Sequence, residues 1–139
     1  MAVSPIGPVR EVLEYTLSEI PANKVMMGQN LYGYDWTLPF KPGGEFAKAI
    51  SPQQAIRLAS EYNVPIQYDM KAQAPHFNYR DNEGKEHEVW FEDARSIQAK
   101  FDLMKELKLR GMSYWKLGLS FPQNWLLIAD NFDVVKTPT

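Results

Sequence analysis

The side chains that most often perform chemistry are few in this sequence. The two histidines, His76 and His87, lack the spacing of metal ligands, and the chain has no cysteine. The adjacent acidic residues Glu92 and Asp93 precede Ser96, where carboxylates favour the positive end of a helix. The sequence contains no Gly-x-Ser-x-Gly motif, no P-loop and no Gly-x-Gly-x-x-Gly motif. We therefore expect no metal and no other cofactor, and we assign no catalytic residue within this chain.

Aromatic side chains are the remaining candidates for a functional role. They make up 13% of the residues, with 4 Trp and 7 Tyr. Their flat amphipathic rings pack into protein cores and are also suited to stacking on sugar faces. Core packing is the expected role of most of them, so the aromatic residues that lie at a site must be found from their position in the fold.

Charge and hydropathy exclude several classes of partner. The formal net charge of -2, without a polybasic run, predicts neither nucleic-acid binding nor attraction to a membrane surface. No apolar stretch reaches the roughly 18 residues that a membrane-spanning helix needs. The first five residues have no basic start and no apolar segment, so we expect any export signal to lie upstream of them.

Helical and strand patterns frame the chain at both ends. Apolar residues at helical spacing predict a first helix, which Pro21 ends: Val9, Val12, Leu13, Leu17 and Ile20. The run from Val25 to Gly28 predicts a buried strand. Near the other end, Ser96 is expected to cap a helix that reaches about Lys108 and is terminated by Gly111. A strand over 112–117 and a helix from Pro122 complete the pattern.

The middle of the chain has a different character. Prolines and glycines predict a turn-rich loop over 36–44, and Ser51 with Gln54 forms a capping box for a helix to about Tyr62. Strands are expected over 64–69, 75–80 and 86–91, with a hairpin turn over 81–84 between the last two. These elements predict a small α+β unit inserted between the two end segments.

The two end segments contribute only two buried strands. A parallel sheet is normally covered on both faces, which two strands alone cannot achieve. The pattern therefore predicts part of a larger βα fold, such as a (β/α)8 barrel of about 250 residues.

Three ordered motifs resemble glycoside hydrolase family 18. The segments Pro21 to Gly28 and Tyr32 to Trp36 resemble its seventh barrel strand, which shows Pro-x-x-Lys, a Gly and then Tyr-Gly-x-x-Trp. The segment from Phe91 to Lys100 resembles the start of its seventh helix, and Gly111 to Trp115 resembles its eighth strand, Gly-x-x-x-Trp. The variants Tyr-Gly-Tyr-Asp-Trp and Pro-Gln-Asn-Trp are similar to the bacterial spore-associated branch, whose members act on peptidoglycan and often carry LysM modules.

This resemblance implies an α/β fold: a partial (β/α)8 TIM barrel from helix 6 to helix 8, with an inserted α+β chitinase-type domain. It divides the chain into barrel residues 1–36, an insertion domain over 37–86 and barrel residues 87–139. The family's catalytic signature, Asp-x-x-Asp-x-Asp-x-Glu, ends the fourth barrel strand and is absent from the sequence. Family members cleave glycans with retention and with assistance from the N-acetyl group of the substrate, so the resemblance implies a parent glycosidase whose acid lies outside this chain.

The resemblance also implies four substrate-binding residues. Trp115 matches the Trp beneath the sugar being cleaved, and Tyr32 matches a Tyr that faces the cleft. Tyr34 replaces a family Arg that helps to bind sugar, so it offers a ring and one hydroxyl but no charge. Trp36 is expected either to pack between barrel and insertion or to contact sugar.

Three hypotheses for function remain open. In the first, the parent protein hydrolyses peptidoglycan or chitin, and this chain, inactive alone, supplies the sugar-stacking floor and a groove wall. In the second, the segment is a non-catalytic glycan-binding module. In the third, it is a structural piece that self-associates through apolar faces of the incomplete barrel. The compartment stays undetermined by the residues, although the resemblance favours a spore, cell-wall or secreted location.

Overall fold

The computed structural model describes residues 1–135. Within them the chain forms α-helices and β-strands in the predicted order of helix, strand, α+β unit, helix, strand and helix. The helices are α1 (Ile6–Glu19), α2 (Pro52–Glu61), α3 (Ala94–Glu106) and α4 (Pro122–Asn131). The strands are β1 (Met26–Asn30), β2 (Gly33–Leu38), β3 (Lys48–Ile50), β4 (Gln67–Asp69), β5 (Ala74–Arg80), β6 (Glu86–Trp90) and β7 (Gly111–Trp115).

Five of the strands form an antiparallel sheet in the middle of the chain, in the order β3-β2-β6-β5-β4. The predicted hairpin is present, because β5 and β6 pair in register around the turn at 81–85. Two predictions for this region were wrong in extent. Residues 36–38 belong to β2 rather than to a loop, because their backbone groups pair with β6. The strand expected over 64–69 is only β4, because just its last three residues pair with β5.

Helix α2 covers one face of this sheet. Its predicted capping box is confirmed: the Ser51 hydroxyl accepts from the Gln54 backbone N–H at 3.1 Å, and the Gln54 side chain accepts from the Ser51 N–H at 2.8 Å. Apolar residues of the helix and sheet form a common core that comprises Ile50, Ala55, Ala59, Phe77, Tyr79, Val89 and Phe91. The five-stranded sheet therefore has a hydrophobic core of its own.

The other two strands, β1 and β7, pair in parallel over five residues, from Met26 opposite Gly111 to Asn30 opposite Trp115. One face of this small sheet packs against the helices. The prediction that the first of these strands is wholly buried was wrong, because burial alternates along β1: Met27 is buried while Met26 is 51% exposed. The second face of the sheet therefore lies open.

Helix α3 begins and ends differently from the prediction. Asp93, not Ser96, is the N-cap: its carboxylate accepts from the backbone N–H groups of Arg95 and Ser96. Ser96 occupies the third helical position, and its hydroxyl accepts from the Asp93 N–H at 2.9 Å. At the C-terminal end, Lys108 takes the left-handed conformation with φ of 52°, so the chain reverses there and Gly111 is already the first residue of β7.

The apolar stripe predicted for α1 is only partly buried. Leu13 is buried against Val25 and Met27, whereas Val12 and Ile20 are 65% and 43% exposed. Arg10, on the same helix, forms two 2.7 Å hydrogen bonds to Glu106 and so links α1 to α3 at the surface. None of the helices described within residues 1–135 has the length and apolar character needed to cross a bilayer.

The capping box of α2 gives a direct test of this local structure. Replacing Ser51 with Ala removes the acceptor for the Gln54 N–H, so Ser51→Ala is expected to lower the free energy of unfolding by about 1 kcal/mol. Urea denaturation followed by circular dichroism measures the change. The matched control is Ser60→Ala, at an exposed position of the same helix, which should leave stability nearly unchanged or slightly raised. Equal losses in the two variants would contradict the role of the cap.

Candidate functional site

The open face of the two-stranded sheet carries one large aromatic side chain. Trp115 is the last residue of β7 and is 72% exposed. Met26, Gly28 and Ser113 are exposed on the same face, since residues paired across parallel strands point to the same side. The indole thus stands at the carboxyl end of a parallel strand pair, which is the end at which α/β folds place their ligands.

A file of four aromatic rings follows directly after β1. The ring centroids of Tyr32 and Tyr34 are 5.4 Å apart, those of Tyr34 and Trp36 are 5.8 Å apart, and those of Trp36 and Phe40 are 6.2 Å apart. All three contacts are edge-to-face, an arrangement that stabilises aromatic pairs. Tyr34 and Trp36 are neighbours because alternate residues of β2 point to the same face of its sheet, and Tyr32 and Phe40 lie just beyond the two ends of that strand.

Gly33 brings the start of this file close to the end of β6. A Cβ atom at Gly33 would collide with the carbonyl oxygen of Trp90 and with Cβ of Phe91. Only glycine therefore allows β2 to begin so near β6. This close approach fixes the position of the backbone at Tyr32 and Tyr34, shortly after the end of β1.

The polar groups of the file are engaged or buried. Burial, followed by the charge of the neighbouring Tyr34 and a side-chain hydrogen bond with it, raises the pKa of the Tyr32 hydroxyl above its ordinary value. The indole nitrogen of Trp36 is buried and has no hydrogen-bond partner within residues 1–135. A sugar offers apolar C–H faces, so the partly exposed ring faces of Tyr32, Tyr34 and Trp36 are the parts of the file suited to hold one.

A buried ion pair lies behind β1. The Lys100 ammonium is 2.8 and 2.7 Å from the two carboxylate oxygens of Glu92, and both residues are no more than 2% exposed. The Ser96 hydroxyl donates to the same carboxylate at 2.6 Å. Ser4 lies 3.3 Å from Glu92 and donates to the Asn30 side chain at 2.5 Å. The pair therefore joins α3 to the N-terminal segment and to the end of β1.

A second polar cluster lies within the five-stranded sheet. His87 Nδ1 is 2.8 Å from Asp35, His87 Nε2 is 3.3 Å from Asp81, and the Tyr79 hydroxyl donates to Asp35 at 2.7 Å. Burial, followed by the hydrogen bond to Asp35, raises the pKa of Tyr79. Because both imidazole nitrogens face carboxylates, no nitrogen is left to activate a nucleophile. No group of side chains that could hold a metal is found in the described part of the chain.

The structure brings three of the four predicted site residues into one aromatic file and places the fourth apart from it. Tyr32, Tyr34 and Trp36 contact one another in sequence, whereas the described rings show no contact between Trp115 and this file. The backbone connects them instead, because the Leu31 N–H donates to the Trp115 carbonyl at 2.8 Å. Sequence reasoning missed Phe40, whose ring extends the file. The alternation of Tyr32, Tyr34 and Trp36 was a signal that β2 continues and that its rings share a face.

Comparison with protein families gives one match that covers most of the chain. The family described as glycosyl hydrolases family 18 matches residues 5–119. The cortical fragment-lytic enzyme of Bacillus subtilis (strain 168) is 72% identical over 135 residues, which are 97% of this chain and 31% of that protein. The chain therefore spans about a third of the length of this relative.

Solved structures show the same relationship. The spore cortex-lytic enzyme SleL of Bacillus megaterium QM B1551 superposes with a TM-score of 0.97 at 76% identity, over 99% of this chain and 32% of that one. A chitinase from Chromobacterium violaceum ATCC 12472 superposes with a TM-score of 0.85 at 27% identity, over 94% of this chain and 40% of that one. The predicted α/β class is confirmed by these similarities.

The buried ion pair makes a sharp prediction for stability. Lys100→Met leaves the Glu92 carboxylate buried without its cation, which should cost about 3–5 kcal/mol of unfolding free energy. The double variant Lys100→Met with Glu92→Leu removes both charges and should recover most of that loss. Chemical denaturation of the two variants and the parent measures the difference. A double variant no more stable than Lys100→Met would show that packing, not the unpaired charge, causes the loss.

Proposed function

The chain belongs to family 18 of the glycosyl hydrolases, and from this premise we propose that it is the C-terminal third of a glycosidase that cleaves glycans containing N-acetylglucosamine. The relatives with more than 70% identity are named for action on the spore cortex, so the proposed polymer is spore peptidoglycan. Chitin is the second candidate, because a chitinase shares the fold. Cleavage proceeds with retention and with assistance from the N-acetyl group of the substrate, and the acid comes from a part of the protein outside these residues.

The proposed architecture is a partial (β/α)8 barrel. Residues 1–36 and 87–139 contribute barrel segments from helix 6 to helix 8, and residues 37–86 form the insertion domain. The last four residues of the second barrel segment, 136–139, lie outside the described residues. The pairing of the five-stranded sheet begins at Gly33 and extends to Trp90, so the insertion sheet includes a few residues on either side of that division.

Two apolar grooves support a larger barrel. One groove, of about 330 Å³, lies between α1 and β1 and is lined by residues that include Val9, Val12 and Met27. Another, of about 360 Å³, lies beside β7 and is lined by residues that include Met112, Ile128 and Phe132. Each groove borders a strand with a free edge, the position at which the neighbouring strand and helix of a closed barrel pack.

The single observation that carries the sugar site is the exposed indole of Trp115 at the carboxyl end of β7. Trp115 serves as the platform beneath the sugar that is cleaved, because a flat indole packs against sugar C–H bonds and excludes water. Tyr32, Tyr34 and Trp36 serve as a wall of the groove and contribute ring faces. The chain alone lacks the acid and is therefore expected to be inactive.

The platform role predicts a selective loss of activity. In the full-length enzyme, Trp115→Ala should lower kcat/KM by about tenfold or more, which corresponds to about 1.4 kcal/mol of transition-state binding. In the 139-residue chain the free energy of unfolding should change by only about 0.5 kcal/mol, because the side chain is exposed there and loses little packing.

Kinetics on soluble N-acetylglucosamine oligomers and on cortex glycan, with chemical denaturation in parallel, measure both effects. The matched control is Trp125→Ala on α4, where the indole is half-exposed and contacts the ring of Tyr114, which alternates with Trp115 along β7 and so points to the other side of the strand. Parent-like turnover of Trp115→Ala would remove the platform. Retained glycan binding in a full-length protein that cleaves no glycan would favour the binding-module alternative.

The open sheet face also predicts self-association of the 139-residue chain. Met26, Trp115 and Leu117 expose more than half of their side-chain surface, and α1 adds Val12. Apolar patches of this kind favour association in water. Sedimentation velocity should show a dimer or larger species, and the double variant Met26→Ser with Trp115→Ser should shift the chain toward monomer. A folded chain that stays monomeric at high concentration would contradict this expectation.

A further inference from the structure

Asn30 ends β1 at the point where that strand meets Trp115. The two residues are partners in the parallel register, and the next residue, Leu31, donates its N–H to the Trp115 carbonyl at 2.8 Å. The Leu31 side chain is 1% exposed, inside a core with Ile97 and Phe101. The end of β1 and the end of β7 therefore form one backbone unit.

The side-chain amide of Asn30 is bonded at both of its ends. Its oxygen accepts from the Ser4 hydroxyl at 2.5 Å, and its nitrogen donates to the Tyr32 carbonyl at 2.9 Å. A carbonyl can only accept, so the contact with Tyr32 fixes which end of the amide carries the nitrogen. Asn30 is 8% exposed, and a buried amide with both ends bonded holds one orientation.

Ser4 connects this amide to the charged interior. A hydroxyl has a single proton, which Ser4 donates to Asn30 in the shorter contact, so the 3.3 Å approach of its oxygen to Glu92 is a contact and not a second hydrogen bond. Glu92 is itself held by Lys100 and Ser96. The orientation of the Asn30 amide is therefore set by its own two bonds, to Ser4 and to the Tyr32 carbonyl, and not by solvent.

We propose that Asn30 is a positioning residue for the glycosidase reaction, which sets the path of the main chain at Leu31 and Tyr32 and so the placement of the Tyr32 ring relative to Trp115. This inference rests on the proposed function. Asn30 need not touch the sugar, since its amide is already occupied by Ser4 and Tyr32. Errors of about 1 Å in such placement are enough to cost on the order of 100-fold in rate.

The kinetic signature separates positioning from binding. When Asn30 is replaced, the sugar would still contact the Tyr32 and Trp115 rings, but the rings would no longer be aligned with the bond that is cleaved. In the full-length enzyme, Asn30→Ala should therefore lower kcat by about tenfold or more and change KM by less than about threefold. Asn30→Asp keeps the shape but places an oxygen against the Tyr32 carbonyl, so a similar loss is expected. Ser4→Ala, which removes one bond to the amide, should cause a smaller loss of about threefold.

The measurement uses N-acetylglucosamine oligomers at a temperature where denaturation curves show every variant to be folded. Asn82→Ala is the matched control, because this asparagine is exposed in the turn between β5 and β6. Turnover by Asn30→Ala within about twofold of the parent would overturn the proposal. A loss of kcat that merely follows the folded fraction across the series would overturn it as well.

Variants of the platform separate this inference from the proposed function. If Trp115→Ala loses turnover and Asn30→Ala keeps it, the sugar site stands and the positioning role falls. If Asn30→Ala loses turnover and Trp115→Ala keeps it, the indole is removed as the platform and the positioning role stands for the Tyr32 ring alone.

Discussion

The Glu92 carboxylate and the Lys100 ammonium face each other in the interior, and much of the fold depends on keeping them together. Moving two charges out of water is costly, and their attraction offsets that cost only when the geometry is good and the remaining hydrogen bonds are made. Here both oxygens of Glu92 contact the ammonium, and the Ser96 hydroxyl donates to one of them. The constraint reaches beyond the pair. Glu92 lies two residues after β6, and Lys100 lies in α3. Ser4 of the N-terminal segment lies 3.3 Å from Glu92. One buried pair therefore sets where the antiparallel sheet, the helices and the end of β1 meet.

The two sheets use their residues in different ways. The antiparallel sheet has its own core on one face, and its other face carries Tyr34 and Trp36, the two members of the aromatic file that lie in β2. The parallel pair, β1 and β7, has helices on one face only, so Met26 and Trp115 stay exposed. An exposed indole leaves apolar surface in contact with water, but its free ring face is suited to stack on a sugar. The one-sided packing of the small sheet thus leaves Trp115 open to solvent, as the proposed platform requires.

Local signals in the sequence were sufficient for much of this architecture. The capping box at Ser51 depends on residues three positions apart, so it was predicted correctly. The cap of α3 was misassigned because Asp93 and Ser96 are both favoured N-caps, and only the backbone path decides between them. The length of β2 was underestimated because Pro39 and the nearby glycines suggested a loop, whereas pairing with β6 carries the strand to Leu38. The exposure of Val12 depends on what packs against α1, which helical spacing does not encode.

The candidate residues divide in a similar way. Trp115 and Tyr32 could be proposed because motifs place them at strand ends. The bonds of Asn30 to Ser4 and Tyr32 could not be foreseen, because Ser4 is distant in sequence and nothing in its surroundings marks it. Gly33 has a consequence for how the chain assembles. Because the start of β2 contacts the end of β6, the segment from β2 to β6 begins and ends at nearly the same point in space. Once this segment has folded, the loop-closure entropy that opposes the pairing of β1 with β7 is that of a much shorter chain.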